Sequence, residues 1–380
     1  MTLNSLIRAA IIHAKVVSMR HKGYKTKRHI IVLESDDWGS IRIPSLEARR
    51  NMQKQGVVFC SPDSYDRFDT LETNEDITYL METLASVRDS IGNPAKMTLN
   101  FVMANPDFEK IRNNGYQNYK YEPFTETYHR YPNCDRSFEY LCQGRSSGVF
   151  QIQFHGREHL NVPKWLRALR LHLPSVIAAF NEGCFSLGIN DGGISGHFME
   201  AYNAEKIEDY VFLKASIIEG LSLFKDIFGF SSSTMIPPCY TWDPIIEETS
   251  SQAGITCIQG SAIQRHSKYY TLENKKQTEF RWTGDCNALG QLYTIRNCFF
   301  EPSISSKHDQ NACLNDIEKQ FSLNHPAIIS CHRQNFIGGL YKENRDNNIK
   351  DLRDMLSCVV KKYPDVEFLS SDELANNILK

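Results

Sequence analysis

The chain lacks most of the features that assign a protein to a class at once. None of its eleven cysteines stands in a C-x-x-C pair, so a zinc ribbon or a thioredoxin-type motif is not expected. Cysteines placed singly and odd in number suit a reducing compartment, where the thiol behaves as a small buried hydrophobe. An excess of one charge is also missing: 43 basic against 45 acidic residues leave a formal net charge of −2. Beyond the first thirty residues there is no basic stripe, and no nucleic-acid partner is expected. Long apolar runs are absent too. The stretch from Leu6 to Val17 is broken by Arg8, His13 and Lys15. That suits neither the unbroken core of a signal peptide nor a spanning helix of about 20 apolar residues, so a cytoplasmic protein is expected. With Arg20, Lys22, Lys25, Lys27 and Arg28 following, residues 1–28 read as a basic amphipathic helical segment. It would pack on the domain or rest on the acidic inner face of a membrane.

What is present is alternation. In 380 residues, 41% of them hydrophobic, strand-like apolar runs alternate with helical patterns, and no repeat or linker divides residues 29–380. The spacing predicts strands at 30–33, 97–102, 149–154, 233–236, 255–258, 292–295, 327–331 and 366–369. Helices are predicted around 45–55, 74–90, 205–228, 245–253, 309–321 and 347–361, with another opening at Pro163. A capping box at Ser370–Glu373 starts a last one. Residues 107–135 and 260–290 show no clear period and read as insertions, which in a compact domain are usually functional. Seven or eight β/α units in succession predict a parallel sheet closed into a barrel, with an open doubly wound sheet as the other solution.

On that frame the polar clusters coincide. Asp36-Asp37, His155 with His159, Pro237–Trp242 and His332 each follow a different predicted strand, and in a barrel all of these positions lie on one rim. His155 and His159 are four apart, so a helical turn there would point both to the same side. Two imidazoles and one carboxylate around an open position make a hydrolytic zinc site. The other carboxylate of the pair is then free to act as a base, and His332 is a candidate acid.

Asp36-Asp37-Trp38-Gly39 resembles the first motif of the polysaccharide deacetylases, the NodB-homology group of carbohydrate esterases, whose usual form is Thr-Phe-Asp-Asp-Gly. His155-Gly156-Arg157-Glu158-His159 is similar to their second motif, His-Ser/Thr-x-x-His. Ile236-Pro237-Pro238 resembles the proline-bearing third, and the apolar run ending at His332 the last. These matches span residues 30–374 in the family's order. The resemblance implies a distorted (β/α) barrel and hydrolysis of an N-linked acetyl group from an amino sugar in a glycan. It implies Asp37, His155 and His159 as ligands of a divalent metal, usually zinc, with Asp36 as general base and His332 as general acid. A backbone N–H near Cys239–Tyr240 would face the oxyanion. Trp38, Tyr240 and Trp242 would offer flat faces to a sugar, with Arg333 as a further substrate contact. The family's base-orienting arginine is replaced by Ile236, which leaves Arg157, Arg281 or Arg333 for that role, and the fourth motif has no counterpart. Two other readings stand beside this one. One is a degenerate, glycan-binding deacetylase-like module. The other is a metal-free glycoside hydrolase pairing Asp36 with Asp243 or Glu158.

Overall fold

The computed structural model describes residues 22–61 and 65–380. Its main sheet has nine strands: β1 (Ile30–Trp38), β2 (Met97–Phe101), β3 (Phe150–Phe154), β4 (Thr234–Met235), β5 (Cys257–Gly260), β6 (Leu292–Ile295), β7 (Cys298–Phe299), β8 (Ala327–His332) and β9 (Glu367–Leu369). Every pairing within it is parallel. β6 and β7 are two halves of one passage. The first half pairs with β5 and the second with β8; between them Arg296 N–H donates to Gly260 O and Asn297 N–H donates to Ile328 O. The order β1-β2-β3-β4-β5-β6/β7-β8 therefore returns to β1, and the sheet closes as a distorted (β/α) barrel.

Helices cover the outside because the outward residues of the strands are apolar. The largest cluster joins Ile31, Leu33, Leu99 and Ile329 of the strands to Leu80, Leu221, Ile317 and Leu352 of the helices. Local signals set the helix starts. Ser45 caps α1 (Leu46–Lys54), Thr73 and Asp76 form a capping box on α2 (Asn74–Ser86), and Ser370 with Glu373 does the same for the last helix, Ser371–Leu379. Ile30, Val32, Ile328 and Leu374 form a separate apolar plug, with the last helix packed against the start of β1. A further cluster gathers Ile43, Met52, Ile111, Trp165, Phe180 and Leu340. These residues come from segments that follow strand ends, so this layer builds up the barrel rim at the C-terminal ends of the strands.

Several expectations change. Residues 107–135 are structured, with helices at Phe108–Asn113 and Phe124–Arg130 and a strand at Tyr121–Pro123 paired to Ala104–Pro106. These helices are too short to show a period. Residues 260–290 contain the hairpin Ile263–Arg265 with Thr278–Phe280 and the helix Lys268–Asn274. A hairpin of Gly188–Asp191 with Ile194–His197 was not foreseen. Of the expected N-terminal helix, residues 1–21 lie outside the described residues. Residues 22–28 are turns and extended chain, tied by Tyr24 N–H to Thr283 O and Thr26 N–H to Asn324 O. No helix among the described residues is long and apolar enough to cross a membrane.

β1 ends in a turn that only glycine fits. Gly39 has φ +78°, and a Cβ there would lie 2.6 Å from Val102 O. Gly92 also has positive φ, at +91°, but with nothing within 4 Å. In denaturant unfolding, Gly39→Ala is expected to cost about 2–5 kcal/mol, left-handed strain plus a backbone clash, against about 1–2 kcal/mol for Gly92→Ala. Equal costs at the two positions would exclude the clash.

Candidate metal-binding active site

In a regular strand Asp36 and Asp37 would point to opposite faces of the sheet. Here the pairing of β1 with β2 shifts register between Ser35 and Trp38, and Asp37 has φ +74°. The irregularity sends Asp36 into the barrel axis and lets Asp37 turn onto the rim. Both line one cavity of about 260 Å³, together with His155, His159, Tyr240 and His332.

Asp37 Oδ1 lies 3.3 Å from His155 Nε2 and 3.4 Å from His159 Nε2. One ligand atom from each of the three residues falls within 4.8 Å of the others. His155 Nδ1 is 2.7 Å from Ile236 O. A carbonyl can only accept, so Nδ1 carries a proton and Nε2 is the ring atom turned to Asp37. His159 has its pKa lowered to about 3, because burial disfavours the imidazolium more than the Asp37 carboxylate favours it. It is neutral at ordinary pH, as a metal ligand must be. Burial pushes the Asp37 carboxyl up, but His159, His155 and Arg42 outweigh it and hold the group well below the usual range. Arg42 donates to the other oxygen, Oδ2, at 3.1 Å. Two imidazoles and one carboxylate facing a cavity are a donor set that fits a divalent metal. The histidines do not converge by helical spacing: residues 155–160 form no helix. Gly156, at φ +116°, makes the turn that brings His159 back to His155.

Asp36 is held by Arg296. The guanidinium donates from Nη1 to Oδ2 at 2.6 Å and from Nη2 to Oδ1 at 2.7 Å, and Asn100 Nδ2 donates to Oδ1 at 2.8 Å. Burial works against the Asp36 carboxylate, but Arg296 overrides it and the pKa falls below the usual value. Arg296 Nε also donates to Glu34 Oε2 at 2.7 Å. Arg157, Arg281 and Arg333 do not take this part. They pair with Glu158, with Glu279, and with Asp69 and Glu72 respectively. The signal for Arg296 was in the sequence, since it directly follows the predicted strand 292–295.

His332 stands beside Asp36 on the neighbouring strand. Its Cα is in register with that of Asp36, and Nε2 lies 3.7 Å from Asp36 Oδ2 and 3.2 Å from the Tyr65 hydroxyl. Nδ1 bonds to Glu301, which also accepts from Asn335 Nδ2 at 2.8 Å. Burial disfavours the imidazolium, yet the Glu301 carboxylate prevails and raises the pKa to about 9. His332 is therefore protonated at neutral pH. Glu301, just past the end of β7, was missed because so short a strand leaves no periodic mark.

Three expected substrate contacts are corrected. Trp38, Trp242 and Arg333 have no exposed surface, so none can meet a sugar. Trp38 Nε1–H donates to Ser35 Oγ at 2.9 Å, and Trp242 Nε1–H donates to Glu247 Oε1 at 2.8 Å. Arg333 is an internal ion-pair hub. Tyr240 is half-buried on the cavity wall, at φ +54° beside Cys239 at φ +56°; its own amide is taken by Pro237 O. The glycosidase pairing also fails: Glu158 is locked on Arg157, and Asp243 accepts from Tyr210 and from Ser267 N–H. Neither lines the cavity.

No family model and no curated protein matches the sequence. Among solved structures, a Mycobacterium smegmatis protein described as a polysaccharide deacetylase aligns over 92% of its length and 94% of this chain, at 11% identity and TM-score 0.44. A Pseudomonas aeruginosa protein of the same description covers 91% and 92%, at 8% identity and TM-score 0.45. The 4-alpha-glucanotransferase of Thermococcus litoralis aligns over 92% of this chain at 10% identity and TM-score 0.45, and this chain spans 40% of its length. Likeness at this level decides neither activity nor substrate.

The donor set makes a direct prediction. Titrated with Zn²⁺ against a competing chelator, the wild-type chain should bind one equivalent. His155→Ala should weaken binding by more than the roughly 10–100-fold that loss of an outer-shell partner costs. Unchanged affinity in that variant would remove His155 from the site.

Proposed function

We propose that the chain is a metal-dependent hydrolase that removes an acetyl or other small acyl group from the nitrogen of an amino sugar in a glycan or glycan precursor. One observation carries this reading: Asp36 and His332, 3.7 Å apart on neighbouring strands, line the same cavity as the Asp37, His155 and His159 donors, with Arg296 favouring the carboxylate of the first and Glu301 the imidazolium of the second. Hydrolysis of an amide needs both, a base for the attacking water and an acid for the departing amine. A divalent metal at the three donors would acidify water and polarise a carbonyl oxygen.

The residues divide the remaining work. Asp37, pinned through Oδ2 by Arg42, leaves Oδ1 for the metal. Asp36, fixed by Arg296 and Asn100, takes a proton from the attacking water. Its low pKa makes it a weak base, but keeps it ionised at every pH where the reaction would run. His332 gives its proton to the amine nitrogen as the C–N bond breaks, and Glu301 stabilises the imidazolium until then. Tyr240 supplies the flat wall against which a sugar ring can rest. The order of the motifs along residues 30–374, in the pattern of the polysaccharide deacetylases, supports the same reading.

Acetate release from a panel of N-acetylated oligosaccharides, with zinc supplied, tests it. Asp36→Asn and His332→Ala should each lower kcat by about 10²–10⁴-fold, and full activity in both would overturn the assignment. The pH profile gives an independent check. His332 must be charged to act as an acid, so kcat/KM should fall as pH rises through its pKa of about 9. Glu301→Gln removes the carboxylate that holds the pKa up, and the alkaline limb should move down toward the ordinary histidine value of about 6.5. An unmoved limb would show that another group sets it.

A further inference from the structure

The hairpin of Gly188–Asp191 with Ile194–His197 has no part in the barrel sheet, yet it is tied to the metal site at both ends. At its entry Arg42, which pins Asp37, donates from Nη1 to Ser186 Oγ at 3.3 Å. At its exit Asn161, two residues past His159, donates its N–H to Phe198 O at 2.6 Å. Lys164, on the helix Val162–Arg170, is 5% exposed, and its Nζ donates to Ser195 O at 2.6 Å and to His197 O at 3.1 Å. Burying an ammonium is costly unless it is well bonded. Here the bonds it makes fix the outgoing strand of the hairpin to the segment that carries His159.

That anchorage brings His197 and Met199 to the wall of the metal cavity. His197 is half-buried. Its Nδ1 accepts the Met199 N–H at 3.2 Å, so in the neutral ring Nε2 carries the proton. Burial disfavours the imidazolium more than Glu200 favours it, and the pKa is lowered. An Nε2 that bears a proton has no lone pair to give a metal, and His197 is not among the three residues whose ligand atoms converge. Nε2–H is a donor. It makes no hydrogen bond among the described residues and, unlike His159 Nδ1, is not sealed from solvent. A histidine kept for the turn alone would need only Nδ1, and an asparagine serves that purpose in an Asx turn.

We infer that His197 is a substrate-binding residue of the metal cavity, its Nε2–H donating to an oxygen acceptor of the bound substrate. A neutral N–H suits an uncharged acceptor such as a hydroxyl or carbonyl oxygen, and a group that can only donate gains nothing from it. With the cavity read as an amino-sugar site, on which this rests, the hairpin becomes part of the substrate site. A few precisely placed polar groups are what fix a ligand's orientation in such a cavity, and Lys164 and Asn161 hold this one in place.

Two substitutions separate the roles of the two ring nitrogens. His197→Asn keeps an acceptor for the Met199 N–H and removes the donor, whereas His197→Gln reaches further and restores an N–H near the place of Nε2. The probe is the β-1,4-linked trimer of N-acetylglucosamine on the zinc-loaded full chain. In acetate release, KM should rise about 3–10-fold in His197→Asn, the scale of one neutral hydrogen bond, while kcat changes by less than about twofold. In His197→Gln, KM should stay within about twofold of wild type. Calorimetry in an Asp36→Asn background, which slows cleavage, should give the same order of Kd. Zn²⁺ affinity should stay within about twofold of wild type in both variants, and a fall of more than about tenfold would make His197 a metal ligand and overturn the assignment. Trimer binding and KM unchanged in His197→Asn, or His197→Gln no better than His197→Asn, also overturns it, and leaves the deacetylase reading standing if wild type releases acetate. A trimer that binds with the expected dependence on His197 but yields no acetate overturns the deacetylase reading and leaves His197 as a binding residue. A wild type that neither binds nor cleaves the trimer overturns both.

Discussion

Arg296 is the interaction on which the barrel interior depends. Glu34 and Asp36 project from the same strand toward the axis, and neither is more than 3% exposed. Two carboxylates this close in a water-poor interior are untenable without a cation between them. Arg296 supplies it, giving Nε to Glu34 and both terminal nitrogens to Asp36. Losing one partner of such a buried cluster typically costs about 3–5 kcal/mol. Arg296 also sits where the strand passage changes its pairing from β5 to β8, so the residue that closes the barrel is also the one that fixes Asp36. Around the clamp, Asn100, Gln259 and Thr234 satisfy one another by side-chain hydrogen bonds. This polar interior explains why β1 is buried throughout while carrying three acids.

The two imidazole environments show how neighbours, and not burial, sort the roles. His159 and His332 are both desolvated, yet one pKa falls to about 3 and the other rises to about 9. His159 faces a carboxylate already engaged by Arg42, so burial prevails. His332 has Glu301 directly on Nδ1, with Asp36 and Asp37 nearby, so attraction prevails. A neutral imidazole and a charged one thus sit on the walls of a single cavity.

Much of the frame was legible because its signals are local. Apolar runs located most barrel strands within a residue or two, and the capping box at Ser370 marked the start of the last helix. Asp36, Asp37, His155, His159 and His332 were noticed because each follows a predicted apolar run, a position read from a few neighbouring residues. The failures have a different origin. Trp38 and Trp242 were read as sugar platforms by residue type and position, but the layers packed against the rim close over both. Arg333 stands next to His332, yet its side chain turns to Asp69 and Glu72, residues far away in the chain. The short helices within residues 107–135 are too brief for periodicity to register.

By itself, then, the sequence determined the alternation of strands and helices, the parallel barrel, and which side chains stand at the rim. These follow from hydrophobic period and chain direction, which are properties of neighbours in sequence. Only the tertiary structure decided which arginine orients Asp36, which carboxylate charges His332, and how two adjacent aspartates come to face one cavity. Those depend on strand register, on the bulge at the end of β1 and on the closure of the sheet. Charge pairing inside a barrel joins residues that the chain order keeps apart, by 31 positions for Glu301 and His332 and by 260 for Arg296 and Asp36.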